Sequence, residues 1–400
     1  MLSVLHCYPH LHTVKIAWIV NNFPLPSNNG VTGIFFERML NNLPEEAGII
    51  HVVAPVPFVP ALLGNISRYR KYTGIPKYEE RGRLRIHRPR YLATPREHYT
   101  GLAHIFRFLA IMHLPLWREI CLIDARYAYP NGAVARLLKR WKGIPYIVSA
   151  IGTDVNVDPV VSRINRFLLG KALRSADGII AVSNALAFKL RLFGAPDVRV
   201  IHDGIDVRTD IVAQKRDHST VVRLTYLGEI SEAKGIPLIA ELIGRYPQFA
   251  GPRYEWHLVG NYTQKFGLEA FPNVIFYGQK KHGEALDILA GCDIIVYPSL
   301  SEGIPNALKE AGLLGLTVVA SDAGGIPELL LNGEGGFIFK SGDAGHLFQQ
   351  LSAACENQDE AGKRAAILNG YIRRAFDVRS SAASLFSYYQ EILSTGNSRS

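Results

Sequence analysis

The sequence predicts an α/β protein with two similar domains, each built on a doubly wound parallel sheet. The chain has 400 residues, of which 48% are hydrophobic and 20% charged, so it is long and apolar enough to form two cores. Short apolar runs alternate with amphipathic helical patterns in both halves, and this alternation implies right-handed βαβ units. Because open sheets of this kind bind ligands at the carboxyl ends of their strands, we expect a ligand in a cleft between the two halves.

The first half contains six short apolar runs that predict strands, most of them rich in β-branched residues. A glycine-containing loop and an amphipathic helix follow the first run, and two further helical patterns, GAVARLLKRW and SRINRFLLGKALRSA, lie between later runs. The predicted strands are KIAWIVNNFP (15–24), GIIHVVAP (48–55), CLIDARY (121–127), PYIVSA (145–150), GIIAVS (178–183) and a short one in VRVIHDGIDV (198–207).

The polar, aperiodic stretch RTDIVAQKRDHS then predicts an interdomain linker. From residue 222 the alternation resumes with strands VRLTYLG, EWHLVG, NVIFYG, DIIVYPS and LTVVAS, and with helices from Ile236, Glu284, Asn306 and Ala344. A last helix, SSAASLFSYYQEIL, covers 380–393. The predicted domains are 1–207, with 1–14 as an extension before the first strand, then 208–375, and a C-terminal helix and tail over 376–400.

The net charge of +9 is concentrated between Arg68 and Arg96, where ten Lys or Arg residues face only Glu79 and Glu80. Such a stretch fits either a solvated loop face or an anionic partner, which could be nucleic acid, a phosphorylated ligand or a membrane surface.

Other segments bear on location. No apolar run reaches the roughly 20 residues of a membrane helix, and the N-terminus is a poor signal peptide because it has no early Lys or Arg. The four cysteines (Cys7, Cys121, Cys292 and Cys355) are scattered and form no CxxC pair. They predict a cytoplasmic protein without disulfides or structural zinc.

The stretch SEGIPNALKEA (301–311) is the most informative part of the chain. It predicts a loop after a buried strand and then a helix, with Pro305 beside the helix start and Asn306 as a plausible N-cap. The N-H groups of such a helix start attract phosphate. Glu302 before the helix and Glu310 one turn inside it would accept hydroxyl groups on either side, a layout that fits a nucleotide sugar. An ordinary strand-loop-helix with solvent-facing glutamates is the alternative.

The pattern E-G-x-P-x-x-x-x-E-A resembles the signature of the family 4 retaining glycosyltransferases of the GT-B fold, of the bacterial surface-polysaccharide type. The resemblance spans nearly the whole chain, in the family's order. It implies two Rossmann-like domains that face each other across a cleft, with the C-terminal helix crossing back to the first domain. The other matching segments are the glycine loop near Gly30 and Gly33, YIVSAIGTDVN, ADGIIAVSNAL, VIHDGID, LGEISEAKGIPLIAELI, HLVGN, NVIFYG, VVASDAGGIPELL and GGFIFKSGD.

The resemblance also implies roles for individual residues. Glu310 would bind the ribose of the nucleotide, and Glu302 would lie beside the donor hexose. Lys234 would contact the diphosphate, and Asp154 in the IGTD segment completes the predicted catalytic set. The remaining predicted donor-binding residues are Gly33, whose loop would close over the phosphates, Gly278 beside the base, and the backbone of Gly303, Ile304, Pro305, Asn306, Ala307 and Leu308.

The resemblance further implies a same-face substitution with retention of configuration, in which the departing diphosphate helps to deprotonate the acceptor. No D-x-D triplet occurs in the sequence, so neither a metal nor another cofactor is expected besides the nucleotide sugar as co-substrate.

Two positions depart from the family pattern. Gly228 is followed by Glu229, where relatives often have an arginine near the diphosphate, and Ile151 replaces a histidine that contacts the donor sugar. His202 lies just before DGID and is interpreted as a structural histidine rather than as a substitute.

The resulting prediction is a hexosyltransferase that moves a sugar from a UDP or GDP donor to a glycan or lipid-linked acceptor in cell-surface polysaccharide synthesis. It would act in the cytoplasm, on the inner membrane face if the stretch 68–96 binds anionic lipid. A first alternative is a protein of this fold that has lost turnover and serves as a binding or partner subunit. A second is nucleic-acid binding through 68–96, where tyrosines lie among the cations; the absence of a nucleic-acid module in the sequence speaks against it.

Overall fold

The computed structural model describes residues 14–25, 33–59, 72, 74–93, 102–156, 162–208, 221–262 and 264–397. The chain divides into two compact units. Unit 1 comprises Met1–Gly204 together with Val378–Ser400, and unit 2 comprises Ile205–Asp377.

Unit 1 is built on an eight-stranded sheet in the order β10-β9-β8-β7-β1-β2-β5-β4, in which only the β4–β5 pair is antiparallel. A separate two-stranded parallel sheet joins β3 to β6. β1, β2, β7, β8 and β9 are buried along their whole length, as expected for parallel strands covered on both faces. The strands are β1 (Ile16–Ile19), β2 (Ile50–Val53), β3 (Val56–Pro57), β4 (Tyr78–Arg81), β5 (Leu84–His87), β6 (Arg90–Tyr91), β7 (Leu122–Arg126), β8 (Tyr146–Ala150), β9 (Gly178–Ala181) and β10 (Arg199–Val200).

In the described residues of unit 1, six helices precede the second unit in sequence. They are α1 (Ile34–Asn41), α2 (Ala103–Ile111), α3 (Asn131–Lys142), the single turn α4 (Thr153–Asn156), α5 (Arg163–Ser175) and α6 (Asn184–Leu192). Helices α2, α3, α5 and α6 contribute to one core cluster, and α1 contributes to a second. Ser162 and Ser183 cap α5 and α6 by accepting an N–H of the first turn.

Unit 2 is built on a six-stranded, fully parallel sheet in the order β13-β12-β11-β14-β15-β16. Its strands are β11 (Val222–Leu227), β12 (Tyr254–Val259), β13 (Val274–Gly278), β14 (Ile294–Tyr297), β15 (Thr317–Ser321) and β16 (Phe337–Phe339). Its helices are α7 (Ile236–Arg245), α8 (His282–Ala290), α9 (Asn306–Leu313), α10 (Ile326–Leu329), α11 (Ala344–Glu356) and α12 (Gln358–Ala375). One apolar core lies between the sheet and these helices.

The last helix, α13 (Val378–Asn397), belongs to unit 1, as the sequence predicted. It packs with α1, and its residues Leu385, Phe386 and Tyr389 enter the core cluster that α1 shares.

Some elements were not predicted, and some predicted segments lie outside the described residues. The hairpin β4–β5 was missed within the basic stretch 68–96, and α8 begins at His282, two residues before the predicted start. The predicted linker over 208–219 and the predicted extension 1–14 lie almost entirely outside the described residues. No helix in the described part of the chain combines the length and apolar character that a membrane span requires.

Candidate functional site

The stretch SEGIPNALKEA (301–311) lies at the carboxyl edge of the unit 2 sheet. Its first five residues belong to the loop between the end of β14 at Tyr297 and the start of α9 at Asn306, and the rest belong to α9. Pro305 is the N-cap residue, with φ −66° and ψ 129°, and no side chain caps the helix from this position. The prediction that Asn306 is the N-cap was wrong, because Pro305 ends the extended segment and Asn306 is already helical. The N-cap side chain thus takes none of the first-turn N–H groups, which suit an anion.

Three donors converge on one oxygen of the Glu302 carboxylate. Its Oε1 accepts hydrogen bonds from Lys234 Nζ at 2.6 Å, Ser299 Oγ at 2.7 Å and Tyr297 OH at 3.1 Å. The Glu302 side chain is only 11% exposed and that of Lys234 27% exposed. Burial, and then the charge of Glu302, raise the pKa of Tyr297 well above its ordinary value, so its hydroxyl stays a donor.

The backbone of this loop is held by the glycines that follow β15. Gly324 has φ +59°, and a Cβ at this position would lie 2.0 Å from the carbonyl oxygen of Glu302. Gly325 N donates to Gly303 O at 2.8 Å, and Ser321 Oγ donates to Ser299 O at 2.6 Å. The segment after β15 therefore fixes the position from which the Glu302 side chain projects.

Lys234 comes from a second loop, which follows β11. Gly235 caps α7 with φ +73°, and a Cβ there would lie 1.9 Å from the carbonyl oxygen of Pro298. The two loops are also joined by the bond from Leu300 N to Ala233 O at 3.3 Å. This close approach explains the glycine after Lys234 and brings the ammonium group to Glu302.

The departure at Glu229 lies in the same loop. The Glu229 side chain is exposed, while its backbone carbonyl accepts the Tyr226 hydroxyl at 2.9 Å. Tyr226 in turn stacks on Tyr297, with ring centroids 5.6 Å apart. Burial and the charges of Glu302 and Glu229 raise the pKa of Tyr226 well above its ordinary value. Glu229 therefore adds negative potential at Tyr226, which stacks on the Tyr297 ring beside Glu302.

Glu310 lies one turn into α9, and its carboxylate contacts a histidine that was not predicted to be part of the site. Its Oε1 is 2.7 Å from Nε2 of His282, the first residue of α8. The Glu310 side chain is 11% exposed and that of His282 26% exposed. The imidazole thus fixes the orientation of the carboxylate predicted to bind ribose.

The other predicted donor-binding residues of unit 2 surround these two carboxylates. Gly303, Pro305 and Leu308 are buried, whereas Ile304 and Ala307 pack against the core from its edge. Gly278 ends β13 with φ +68°, and its carbonyl accepts Gly260 N at 3.0 Å. All of them lie at or beside the carboxyl edge of the sheet, where ligands of parallel sheets bind.

Two predicted residues lie in unit 1. Gly33 is the N-cap of α1 with φ +79°, and a Cβ there would lie 2.7 Å from Asn22 O, at the end of the β1 strand segment. Gly30 lies outside the described residues. Asp154 is fully buried, and its carboxylate accepts N–H groups from Ala128 at 2.5 Å, Gly152 at 2.7 Å and Ile151 at 3.2 Å. Asp154 therefore holds two backbone segments at the ends of β7 and β8.

Ile151, the second departure from the family pattern, and His202 both contact other parts of unit 1. Ile151 packs partly against both core clusters of unit 1. His202 Nδ1 lies 2.9 Å from the carbonyl oxygen of Val182, which agrees with its interpretation as a structural histidine.

Comparison with known proteins assigns the chain to a family. The family model described as glycosyl transferases group 1 matches residues 222–357, and the glycosyl transferase 4-like domain matches residues 43–204. Together they cover both units in the order that the sequence predicted. The chain is a glycosyltransferase that contains both of these family domains.

This glycosyltransferase is similar to several named bacterial proteins. A protein of Bacillus subtilis named as the teichuronic acid biosynthesis glycosyltransferase TuaC is 27% identical over 394 residues, covering 96% of this chain and 100% of the relative. The N-acetyl-alpha-D-glucosaminyl L-malate synthase of Bacillus anthracis is 22% identical over 60% of this chain and 66% of its own length.

Solved structures share the GT-B fold with this glycosyltransferase. The sucrose-phosphate synthase of Thermosynechococcus elongatus aligns with a TM-score of 0.77 at 17% identity, over 96% of this chain and 100% of its own. HepE of Anabaena, in complex with UDP, aligns with a TM-score of 0.69 at 16% identity, over 94% and 100%. The predicted fold class is thereby confirmed.

The described residues contain no group of three His, Cys, Asp or Glu side chains that could hold a metal ion. Metal independence stays a prediction for this glycosyltransferase.

The basic stretch 68–96 is used differently from its prediction where the structure describes it. Arg68, Arg70, Lys71 and Arg96 lie outside the described residues. Its five described arginines bond within the protein, to carboxylates such as Glu79 or to backbone carbonyls of Pro24, Leu40, Leu43, Pro44, Ile75 and Gly82. Membrane contact through this stretch remains a prediction that these bonds do not favour.

Sequence reasoning missed several residues that shape the site: Tyr226, Tyr297, Ser299 and His282. Tyr297 and Ser299 were quoted as the end of a strand, but nothing in a single sequence shows that their hydroxyls turn toward Glu302. Only the spacing of three to five residues before Glu302 was available as a signal.

Proposed function

We propose that this glycosyltransferase moves a hexose from a UDP or GDP sugar to a glycan or lipid-linked acceptor with retention of configuration, in the synthesis of a cell-surface polysaccharide. The observation that carries the proposal is the cluster at the start of α9. There Lys234, Ser299 and Tyr297 all donate to Glu302, eight residues before the buried carboxylate of Glu310.

The proposed donor lies across this cluster. Its diphosphate would meet the first-turn N–H groups of α9 and the Lys234 ammonium, both of which stabilise negative charge. Glu302 would accept hydroxyl groups of the hexose and Glu310 those of the ribose, while the backbone at Gly278 would border the base. Two similar structures, HepE of Anabaena with UDP-glucose and the Escherichia coli trehalose-6-phosphate protein with UDP-2-fluoro glucose, support a nucleotide-sugar donor.

In the proposed reaction, the bond between the anomeric carbon and the diphosphate oxygen breaks. The acceptor oxygen forms the new bond on the same face, and its proton passes to the departing diphosphate. Charge grows on the leaving group, and Lys234 is the side chain placed to stabilise it. The Asp154 carboxylate accepts backbone N–H groups of Ala128, Ile151 and Gly152, so we give it a positioning role for the IGTD loop. Gly33 would bring its loop to the phosphates.

The surroundings proposed for the reaction are the cytoplasm and, for a lipid-linked acceptor, a membrane surface. Two relatives support surface polysaccharide as the product class: the teichuronic acid protein TuaC, and WcaL of Escherichia coli, which is named as a colanic acid biosynthesis glycosyltransferase and is 25% identical over 45% of this chain. No cofactor besides the nucleotide sugar is included in the proposal.

The test is release of nucleoside diphosphate from a panel of UDP and GDP sugars by purified protein. We expect one donor to turn over, and Glu302→Ala and Lys234→Ala each to lower kcat/KM by about 100-fold or more, the usual effect of losing one preorganised charge contact. Glu241→Ala and Lys363→Ala, which remove exposed charges of α7 and α12, are the matched controls.

Activity that survives both site variants would refute the assignment of the site. Donor binding without turnover would instead favour the alternative of an impaired partner subunit, for which the negative potential of Glu229 is the structural argument. Thermal shift separates these outcomes, because a donor present at 100 times its Kd stabilises the fold by about 2.7 kcal/mol whether or not it reacts.

A further inference from the structure

One face of unit 1 is covered by four helices with an unusual surface. The inward residues of α2, α3, α5 and α6, among them Ile111, Leu138, Leu169 and Leu190, all belong to the same core cluster. These four helices therefore lie in one layer on one side of the sheet. Their outward residues are called the helical face below.

The helical face carries no carboxylate from its own helices. The sequences AHIFRFLAI, NGAVARLLKRWK, RINRFLLGKALRS and NALAFKLRL contain no Asp or Glu. Ten of their Lys and Arg residues are partly or fully exposed, four on α3, four on α5 and two on α6: Arg136, Lys139, Arg140, Lys142, Arg163, Arg166, Lys171, Arg174, Lys189 and Arg191. This excess of cations on helices without carboxylates produces a positive potential over the layer.

The same face also exposes large apolar side chains. Of the fifteen large hydrophobic residues that are exposed in the described part of the chain, eight lie on these helices or at their caps. They are Leu102, Ile105, Leu109, Trp141, Ile164, Phe167, Phe188 and Leu192. Single exposed hydrophobic residues are ordinary, whereas a concentration on one basic layer marks a contact surface.

Two aromatic residues of the face are paired with lysines. Lys142 Nζ lies 4.0 Å from the ring centroid of Trp141, and Lys171 Nζ lies 4.2 Å from that of Phe167. A ring beside an ammonium group suits the boundary between lipid headgroups and acyl chains, where aromatic side chains and basic residues are both favoured.

Between α3 and α5 the face contains a basic pocket of about 520 Å³. Arg136, Arg140 and Arg174 line it together with Lys139 and Asp177. The Asp177 carboxylate is already bound, since both of its oxygens lie 2.7 Å from Lys139 Nζ. The three guanidinium groups therefore remain to receive an anion, and guanidinium groups bind phosphate through paired N–H donors.

We propose that the helical face docks on a bilayer surface that contains anionic phospholipid. A headgroup phosphate would enter the arginine pocket, while Trp141, Phe167 and their neighbours would insert at the headgroup level. The combination decides the partner, because a soluble phosphate needs no exposed apolar ring and a neutral surface needs no excess of cations. This inference does not depend on which sugar is transferred.

The helical face also suits this role better than the stretch 68–96. The described arginines of that stretch bond to carboxylates and carbonyls of their own unit. In contrast, Arg136, Arg140 and Arg174 form no ion pair with a carboxylate among the described residues. The surplus of positive charge counted from the sequence lies mostly in 68–96. The basic surface of the four acid-free helices was not predicted.

The test is cosedimentation of the full chain with vesicles of phosphatidylcholine alone or with 30% phosphatidylglycerol. We expect binding to the anionic vesicles only, with loss at high salt. Each cation near such a surface contributes about fivefold, which corresponds to about 1 kcal/mol. The triple variant Arg136→Gln/Arg140→Gln/Arg174→Gln should therefore bind at least about tenfold more weakly.

A matched control removes the same charge from unit 2 through Arg245→Gln/Lys363→Gln/Arg374→Gln, which should leave vesicle binding unchanged. The second variant, Trp141→Ser/Phe167→Ser, keeps all the charge and should also weaken binding. All three variants change side chains that are partly or fully exposed. Circular dichroism checks that each variant is folded.

Four outcomes would overturn the proposal. They are equal binding to neutral and anionic vesicles, no binding to either, an equal loss in the unit 2 control, and retention of full binding in the aromatic variant. Glycerol phosphate and single-stranded oligonucleotide serve as competing probes. Pocket-dependent binding of either one without vesicle binding would identify a soluble phosphate or a nucleic acid as the partner and would refute the lipid surface.

Discussion

At the scale of the residue, the site depends on how its two carboxylates are held. Glu302 is fixed by three hydrogen-bond donors to one oxygen, and Glu310 by the imidazole of His282. A carboxylate that is oriented before the ligand arrives loses less conformational freedom on binding. The partners of these glutamates should therefore influence affinity without taking part in the chemical step.

The substitution His282→Ala tests this for the nucleotide end of the site. Removing the imidazole leaves Glu310 without its 2.7 Å partner, and a hydrogen bond to a charged group is usually worth about 1.5–3 kcal/mol. Because only part of that energy concerns orientation, we expect the Kd for UDP or GDP, measured by calorimetry, to rise about 5- to 20-fold, with kcat little changed.

The control is His113→Ala, which removes an exposed histidine of unit 1. An unchanged Kd in His282→Ala would show that Glu310 does not bind the nucleotide, or that its orientation does not depend on His282.

The residues that the sequence revealed at this site are those fixed by local spacing. Glu302, Pro305 and Glu310 could be placed because proline fixes φ at the start of the helix and glycine disfavours a continuous helix before it. Tyr226, Ser299 and His282 could not, since their positions relative to the glutamates depend on strand order and on the direction of each side chain. Asp154 was found as a motif residue, but its burial beneath backbone N–H groups is a property of the folded unit.

At the scale of the element, the edge of the unit 1 sheet contains a pair of histidines. His51 of β2 and His87 of β5 stack with their ring centroids 5.4 Å apart, and His51 Nδ1 lies 3.2 Å from His87 Nε2. Such a contact requires one nitrogen to donate and the other to accept. Burial, followed by the charge of His51, lowers the pKa of His87 to about 4, and burial lowers the pKa of His51.

These shifts predict how stability depends on pH. In the unfolded chain both imidazoles titrate near 6.5, so below that pH the unfolded state binds more protons than the folded one. The contribution of the two histidines to the free energy of unfolding is fully present above about pH 6.5 and is lost as the pH falls toward 4. Allowing for partial exposure, we expect His51→Gln/His87→Gln to reduce the pH 7 to pH 5 loss in the free energy of unfolding by roughly 1–2 kcal/mol.

Urea unfolding at both pH values measures this difference, with His346→Gln in α11 as the control. A double variant that loses as much stability on acidification as the wild type would contradict the assigned role of the pair.

The elements that the sequence predicted share a simple signal. β1, β8 and β15 are continuous apolar runs because both of their faces are buried, and α9 and α11 begin at the predicted residues. The hairpin β4–β5 was missed because YEER and LRIH carry charges on an edge that is only half buried. Helix α12 has a sparse inward stripe and two glycines, so its period is weak in sequence.

At the scale of the whole molecule, the chain returns to its first unit after completing the second. The returning helix α13 is fixed by a buried polar network as well as by apolar packing. Tyr389 OH donates to Asp124 Oδ2 at 2.5 Å and accepts from Trp18 Nε1 at 2.9 Å. Arg126 bonds to the same carboxylate at 3.1 Å and lies 3.9 Å from the ring centroid of Trp18.

Through this network, the Tyr389 hydroxyl links α13 to Trp18 of β1 and to Asp124 of β7. In Tyr389→Phe the buried indole N–H loses its acceptor and the buried Asp124 loses one donor, whereas the apolar contacts of the ring are kept. Buried groups left unsatisfied cost about 1–3 kcal/mol each, so we expect unit 1 to lose about 2–4 kcal/mol of stability in urea unfolding followed by tryptophan fluorescence. The half-buried Tyr371→Phe in unit 2 should change stability by less than about 0.5 kcal/mol. If both variants unfold at the same urea concentration, α13 is held by apolar packing alone, and the polar network contributes to specificity of docking rather than to stability.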